Sequence, residues 1–233
     1  MKIKGEVANI VKGELEITDE EAKSAFSFID NIIPKFVKEG GGLFSDNIKF
    51  WRWKNQVKIV LKAKEFLNSN NIEPRRIPLK TIVPLLENAS LEEDNEVQEM
   101  WAKLLSKYLA GDDSLRFNFI TILKEISPIE IRFLDWLYEN KLSNRKVHEE
   151  EIAISASDIS KFLRISETSS SLIIENFVRL GILIQKNESV SDGMGFVVGS
   201  FVMGGEVSIN EKFILGQLGV SFIKACKNNT III

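Results

Sequence analysis

An apolar stripe over residues 97–108 constrains the fold of this 233-residue chain more than any other feature. Its members repeat at i, i+3, i+4, i+7, i+8 and i+11, and they are Val97, Met100, Trp101, Leu104, Leu105 and Tyr108. This spacing places them on one side of an α-helix, which must bury that side against other elements. Ser90 and Glu93, three residues apart, have the pattern of an N-terminal capping box for this helix. Trp101, in the middle of the stripe, is predicted to be a core residue.

Similar signals predict further helices in the first 140 residues. Thr18 and Glu21 form a capping box pattern ahead of an amphipathic helix. Three consecutive glycines end that helix and are predicted to form a flexible hinge, Gly40–Gly42. The remaining predicted helices run from Asp46 to about Leu67, over 79–88, over about 113–125, and onward from a capped start at Ser127-Pro128 with Glu130.

The chain changes character beyond the polar stretch 140–151, which is predicted to be a surface loop and a domain boundary. Ser155 and Ser166 are suited to cap two short helices joined by a turn, the second with Leu172, Ile173 and Phe177 facing inward. Gly181 is suited to end that second helix. Extended runs at 182–185 and 206–215 flank a stretch rich in Gly and Ser, and a last helix is predicted over roughly 216–227. This order is typical of a winged helix-turn-helix domain.

The predicted fold is therefore mainly α, with an N-terminal helical domain followed by a winged helix-turn-helix-like α+β C-terminal domain. The predicted parts are a helix and glycine hinge at 1–45, a helical core at 46–140 and a winged-helix-like domain at 152–227. Hydrophobic residues make up 44% of the chain, which is typical of globular proteins. The single cysteine, Cys226, excludes an intramolecular disulfide. With no signal peptide and no apolar run of about 18 residues, a cytoplasmic location without a membrane span is expected.

Side chains suited to catalysis are sparse. One histidine, His148, and one cysteine cannot build a zinc site of the usual kind. No nucleophile-elbow or Walker motif is present. The acidic group Glu92–Asp94 with Glu96 is explained by its place at a helix N-terminus, where negative charge is favourable. No catalytic residue, no metal and no cofactor is therefore predicted, and an enzyme with an unrecognised site is the least favoured hypothesis.

Five basic residues form the best candidate surface for an anionic partner. Lys54, Lys58 and Lys62 recur every four residues on one helix face, and Arg75 and Arg76 follow. Residues 51–80 contain eight Lys or Arg and two acids, a local net charge of +6, whereas residues 87–99 contain six acids and no base. The alternative interpretation is a solvated face that pairs with the acidic segment.

The second helix of the predicted helix-turn-helix begins with hydroxyl side chains. Ser166, Thr168, Ser169 and Ser170 are the candidate contacts to a partner, and Arg179 is the only basic residue of that helix. Sequence-specific DNA binding generally relies on basic and amide side chains, and the whole chain has a net charge of −3. Docking of a protein is therefore preferred to binding of nucleic acid.

Several segments resemble the bacterial abortive-infection alpha (Abi-alpha) family. Residues Ile77–Leu105 read IPLKTIVPLLENASLEEDNEVQEMWAKLL, and their proline-containing start, ENASLEED link and WAKLL helix look like the family signature. Arg52 and Asn55 upstream, ILKEISPIE at 122–130, and the Leu-Gly run 215–219 followed by 222–226 are similar to further parts of it. The resemblance covers roughly residues 50–226.

The resemblance implies a role in defence against phage without a defined chemistry and without catalytic residues. The expected function is a non-enzymatic component of abortive infection that binds a partner, either a protein or a second copy of the chain. The alternative is a DNA-binding transcriptional regulator that uses the winged helix.

Overall fold

A computed structural model describes residues 17–32, 46–142, 152–191, 196–198, 201–203 and 207–227. These residues are mostly helical, with a small antiparallel sheet, so the predicted fold class is confirmed. They fall into two compact units that meet in sequence between Glu125 and Ile126. No helix in the described part of the chain is long and apolar enough to cross a membrane. The predicted hinge Gly40–Gly42 lies outside the described residues, as do residues 143–151 of the predicted loop 140–151. The first residues of that loop, 140–142, form part of a helical turn instead.

The described part of the first unit contains five helices. They are α1 (Asp19–Ile32), α2 (Asp46–Ser69), α3 (Leu79–Ala89), α4 (Asn95–Ala110) and α5 (Asn118–Glu125). Helix α2 packs against α1 and α4, while α3 packs against α4 and α5. The stripe on α4 is buried as predicted, with Trp101 at 1% exposure, except for the half-buried Tyr108. The apolar period therefore identified the central helix of this unit.

Helix α1 begins as its capping box predicts. The carboxylate of Glu21 accepts hydrogen bonds from the backbone N–H of Thr18 at 2.7 Å and from its hydroxyl at 2.9 Å. The hydroxyl in turn accepts from the backbone N–H of Glu21. Because the backbone bond and then the hydroxyl bond stabilise the charged form, the pKa of Glu21 lies below its ordinary value.

Two predicted helix starts in this unit were wrong. Helix α4 is capped by Asp94, whose carboxylate accepts from the backbone N–H of Glu96 and Val97, rather than by Ser90. Ser90 instead ends α3. Helix α5 begins at Asn118 rather than near 113, because Asp112 accepts hydrogen bonds from both the backbone and the hydroxyl of Ser114 and holds the preceding residues in a turn.

The described part of the second unit contains four α-helices, a single π-helical turn and five strands. The helices are α6 (Pro128–Leu137), which leads into the π-turn Tyr138–Leu142, then α7 (Ala156–Leu163), α8 (Glu167–Arg179) and α9 (Gln217–Lys227). The strands are β1 (Ala153–Ile154), β2 (Leu183–Ser191), β3 (Phe196–Val198), β4 (Phe201–Met203) and β5 (Val207–Leu215). Helix α6 lies within the helical core predicted at 46–140. In the structure it packs against α7 and α9 of the second unit.

The sheet is antiparallel with strand order β1-β5-β2. Strand β2 pairs with β5 from Leu183 opposite Leu215 to Ser191 opposite Val207. Strands β3 and β4 pair separately, within the stretch rich in Gly and Ser. The helix, turn, helix and paired strands predicted for residues 152–227 are therefore present, while the identification as a winged helix stays a prediction.

An aromatic cluster connects α6, α7 and α8, with Phe133 and Phe177 in the core and Phe162 at its exposed edge. The ring of Phe133 on α6 lies 6.4 Å from that of Phe177 on α8 and 6.2 Å from that of Phe162 on α7. Trp136 adds a further ring 5.4 Å from Phe162. Leu172, predicted to face inward, is 61% exposed, and Ile174 is buried instead.

Candidate partner-binding surfaces

A buried polar junction joins α2 to the link between α3 and α4. Asn55, Ser90 and Gln98 are 7%, 0% and 2% exposed. The side-chain amide of Asn55 donates to the backbone oxygen of Ser90 at 3.1 Å. The amide of Gln98 donates to the side-chain oxygen of Asn55 at 3.3 Å and to the backbone oxygen of Glu92 at 2.8 Å. Oε1 of Gln98 is the one side-chain polar atom of these three residues that has no hydrogen-bond partner, and the bonds that do form fix the path of the link.

Arg52 extends the junction toward the surface. Its Nε donates to the Ser90 hydroxyl at 2.8 Å, and its Nη2 donates to the backbone oxygen of Glu87 at 3.3 Å. The Ser90 hydroxyl also donates to that oxygen, at 2.6 Å. One turn further along α2, the amide of Gln56 donates to the backbone oxygen of Leu86. Arg52, Asn55 and Ser90, all among the residues that resemble the family, therefore hold helices together.

The lysines predicted as an anion-binding stripe share one side of α2. At 100° per residue, Lys54, Lys58 and Lys62 span an arc of about 80°. Each is half-buried, so both the anion-binding stripe and the solvated face stay predictions. The exposed carboxylate of Glu65 lies on the same side, so the stripe carries both signs of charge.

The structure does not bring the two arginines into one cluster with Lys54. Arg75 and Arg76 are exposed and follow the end of α2, which extends about 22 Å beyond Lys54 at ~1.5 Å per residue. The backbone N–H of Arg75 donates to the oxygen of Leu109 at 2.6 Å. Its side chain lies over Gly111, where an added Cβ would come 2.7 Å from Nη1. Arg75 is therefore placed at the C-terminal end of α4, where a cation is favourable.

The hydroxyls at the start of α8 are occupied mainly by the helix itself. The Ser166 hydroxyl accepts from the backbone N–H of Ser169 at 3.1 Å and lies 2.9 Å from the Ser169 hydroxyl. Ser170 is buried, and its hydroxyl donates to the backbone oxygen of Ser166. Of the four predicted contacts, Ser166, Thr168 and Ser169 are exposed, and Ser170 is not at the surface.

Glu130 connects the start of α6 to α8, a role that the sequence did not indicate. Its Oε2 accepts from the backbone N–H of Ser127 at 2.8 Å and from the Ser127 hydroxyl at 2.6 Å, as its capping pattern predicts. Its Oε1 accepts from the side-chain amide of Asn176 on α8 at 2.7 Å. The oxygen of that amide accepts from Nη2 of Arg179 at 2.7 Å. Arg179, the one base of α8, is therefore held against its own helix.

Residues suited to holding a metal ion do not converge in the described ranges. No group of three or more His, Cys, Asp or Glu that could hold a metal ion occurs there. Cys226 is fully buried, as expected for a small apolar residue of the last helix. His148 lies outside the described residues.

Comparison with known proteins gives one match. A family model described as abortive infection alpha matches residues 52–226, about three quarters of the chain. The match extends over both compact units. No curated protein and no solved structure matches.

Proposed function

Because the chain belongs to the abortive infection alpha family, we propose that it is a non-enzymatic component of bacterial phage defence that acts by binding a partner protein. The family associates the chain with abortive infection, in which an infected bacterium limits the spread of phage. The observation that carries the proposal is the match over residues 52–226, which includes the polar junction and the Glu130 connection. Partner binding and the lack of catalysis are the parts that require an experiment.

The arrangement of polar groups supports a binding role. The polar residues at the centre of the first unit, Asn55, Ser90 and Gln98, are buried and bonded to each other or to backbone. A catalytic centre would need polar groups that converge on a space open to substrate. The lysine face of α2 is the first surface to test, because its half-buried stems hold three cations on one side of a rigid helix.

The test is protection against phage in bacteria that express the chain together with its neighbouring genes. The stripe variant carries Lys54→Glu, Lys58→Glu and Lys62→Glu, a charge change of −6. The control carries the same change at exposed sites elsewhere, Lys124→Glu, Arg132→Glu and Lys161→Glu. We expect the stripe variant to lose protection and the control to retain it, with both variants folded by circular dichroism.

Two results would contradict the proposal. If the wild-type chain gives no protection in its native gene context, the role in phage defence fails. If a folded stripe variant protects as well as the control, the lysine face does not bind the partner. The exposed residues at the start of α8, Ser166, Thr168 and Ser169, would then be the next surface to test.

A DNA-binding regulator is the second candidate function, and the order α7, turn, α8 and paired strands favours it. Against it, the exposed residues of α8 include Glu167 and Glu175, and its one base, Arg179, is bonded to Asn176. We expect no tight binding of duplex DNA at about 150 mM salt, because phosphate contacts need cations. Nanomolar binding to a defined sequence in a gel-shift assay would favour the regulator instead.

A further inference from the structure

The outward side of α3 carries a row of exposed side chains that mixes apolar and charged groups. Lys80, Val83 and Glu87 lie on the helix and Leu91 lies in the turn that follows it; these four residues are the α3 row. Val83 is 38% exposed and Leu91 is 64% exposed. Leu91 is therefore mostly open to solvent and Val83 is open in part, so both can contact a partner.

The row is continuous because of its helical spacing. At 100° per residue, Lys80, Val83 and Glu87 lie within an arc of about 60°. The opposite side of α3 carries the buried residues Ile82, Leu85 and Ala89. The α3 row therefore points directly away from the core of its own unit.

Phe117 extends the row at its Lys80 end. Its ring is 47% exposed and lies 5.9 Å from Nζ of Lys80. Lys80 and Leu91 are eleven positions apart, which corresponds to about 16 Å along a helix axis. The surface thus has an exposed apolar residue at each end, Phe117 and Leu91, and Val83 between them.

Charge changes sign along this surface. Lys80 follows two exposed cations, Arg75 and Arg76, whereas Glu87 opens the segment 87–99, which contains six acids and no base. A surface that is positive at one end and negative at the other is complementary to itself when it is turned around. A two-fold interface requires this self-complementarity, since the same patch meets its own copy in the opposite direction.

We propose that a second copy of this chain docks against the α3 row with its own α3 antiparallel, forming a two-fold homodimer. The midpoint between Lys80 and Glu87 falls half a residue beyond Val83, so the two Val83 side chains meet within about 1 Å of the axis along the helix. Lys80 of each copy then faces Glu87 of the other, and Leu91 of each approaches the Phe117 end of the other. This interface is separate from the lysine face of α2, so it does not depend on the proposed partner protein.

Charge reversal tests the pairing directly. In a homodimer of Lys80→Glu, an acid faces Glu87 of the other copy at each of the two symmetric contacts. In a homodimer of Glu87→Lys, a base faces Lys80 of the other copy at each of these contacts. We expect each single variant to dimerise about tenfold or more weakly than wild type, because attraction becomes repulsion at two symmetric positions. The double variant restores opposite charges and is expected to dimerise like wild type. Equal mixing of the two single variants is expected to give a heterodimer.

Mass measured by light scattering after size exclusion gives the readout. The monomer mass is 26.4 kDa, so the dimer has twice that mass, about 53 kDa. Lys124→Glu and Glu175→Lys, which reverse exposed charges off the row, serve as controls and are expected to leave the dimer intact. Leu91→Asp removes the most exposed apolar residue of the row and is expected to weaken the dimer without lowering the melting temperature.

Three outcomes would overturn the proposal. A wild-type chain that stays monomeric at concentrations up to about 100 µM would exclude a specific dimer of useful strength. A double variant, or an equal mixture, that stays monomeric would exclude the antiparallel pairing of Lys80 with Glu87. A monomeric wild type whose phage protection is abolished by Leu91→Asp would assign the row to a different protein.

Discussion

Replacing Asn55 with alanine tests whether the buried junction holds the first unit together. The side chain lies on α2 and is 7% exposed. Its amide is a donor to Ser90, 35 residues away, and its oxygen is an acceptor for Gln98, 43 residues away. Alanine preserves the helix, since it has the highest helix propensity, but it removes both hydrogen bonds of the Asn55 side chain. The change therefore isolates the polar connection from the helix that carries it.

The expected cost follows from these two bonds. The bond to the Ser90 oxygen, at 3.1 Å, has good geometry, and its loss leaves a buried carbonyl without that donor. Such a loss costs about 1–3 kcal/mol. The longer bond from Gln98 adds about 0.5–1 kcal/mol, because that amide keeps its second acceptor at Glu92. The sum is about 1.5–4 kcal/mol, which at about 2–4 °C per kcal/mol for a chain of this size lowers the melting temperature by about 3–16 °C.

Thermal unfolding followed by circular dichroism measures this effect, and the same helix offers a matched control. Asn68 is exposed, so Asn68→Ala is expected to stay within about 0.5 kcal/mol of wild type. Gln98→Ala combined with Asn55→Ala completes a double-mutant cycle. The two losses are expected not to add, because the residues share one hydrogen bond.

Asn55→Asp adds a second diagnostic. A carboxylate still accepts from Gln98 but cannot donate to the Ser90 oxygen, so at neutral pH it is expected to destabilise more than alanine. Protonation restores a donor, so this variant is expected to gain stability relative to wild type as the pH falls. If Asn55→Ala melts like Asn68→Ala, or if Asn55→Asp is as stable as wild type at neutral pH, the junction does not stabilise the fold.

Three further changes test other parts of the structure. Trp101→Ala is expected to cost about 3–5 kcal/mol, seen as a large drop in melting temperature, because the side chain is 1% exposed; an unchanged melt would contradict its burial. Gly219→Ala is expected to destabilise the fold by about 1–3 kcal/mol despite the better helix propensity of alanine, because the added Cβ would lie 2.3 Å from the backbone oxygen of Ile182. A melting temperature at or above that of wild type would refute this close approach. NMR titration of Glu21 is expected to give a pKa below 4.5 that rises part of the way toward the ordinary value in Thr18→Ala, because alanine removes the hydroxyl bond but keeps the backbone N–H bond. Since the folded pKa is lowered, the stabilisation from this cap is present above pH 4.5 and is lost as the pH falls through the folded value.

Local patterns predicted the helices well where one face is buried. The stripe on α4 needs only residues within one helix, so the period in the sequence is enough to identify it. Ser90 shows where a local pattern fails. Ser-x-x-Glu matches a capping box, yet Asp94 provides the cap and Ser90 bonds to Arg52 on another helix. No local rule predicts a partner 38 residues away, because the bond depends on how the helices pack.

The helical period alone separates two neighbouring residues of α8. Ile174 precedes Phe177 by three residues and lies about 60° from it, on the buried side, whereas Leu172 lies about 140° from Phe177 and is 61% exposed. The bond between Glu130 and Asn176 has no such local signal. Glu130 is predicted as a cap, but its bond to Asn176 requires α6 and α8 to lie side by side. A tertiary contact, not a local pattern, determines that bond.

The segment ENASLEED at 87–94 separates residues that build the fold from residues that are left to bind. Ala89 and Ser90 are fully buried, and Asn88 and Asp94 bond to nearby backbone, so folding accounts for these four. Folding does not account for Leu91, which is 64% exposed although burying a leucine would stabilise the chain by about 1.5–3 kcal/mol. This exposure does not stabilise a free monomer. A second copy that covers Leu91 would bury the side chain, and the free energy of that burial would then favour dimerisation. The mass of Leu91→Asp compared with wild type therefore decides whether the segment acts only in folding or also in assembly.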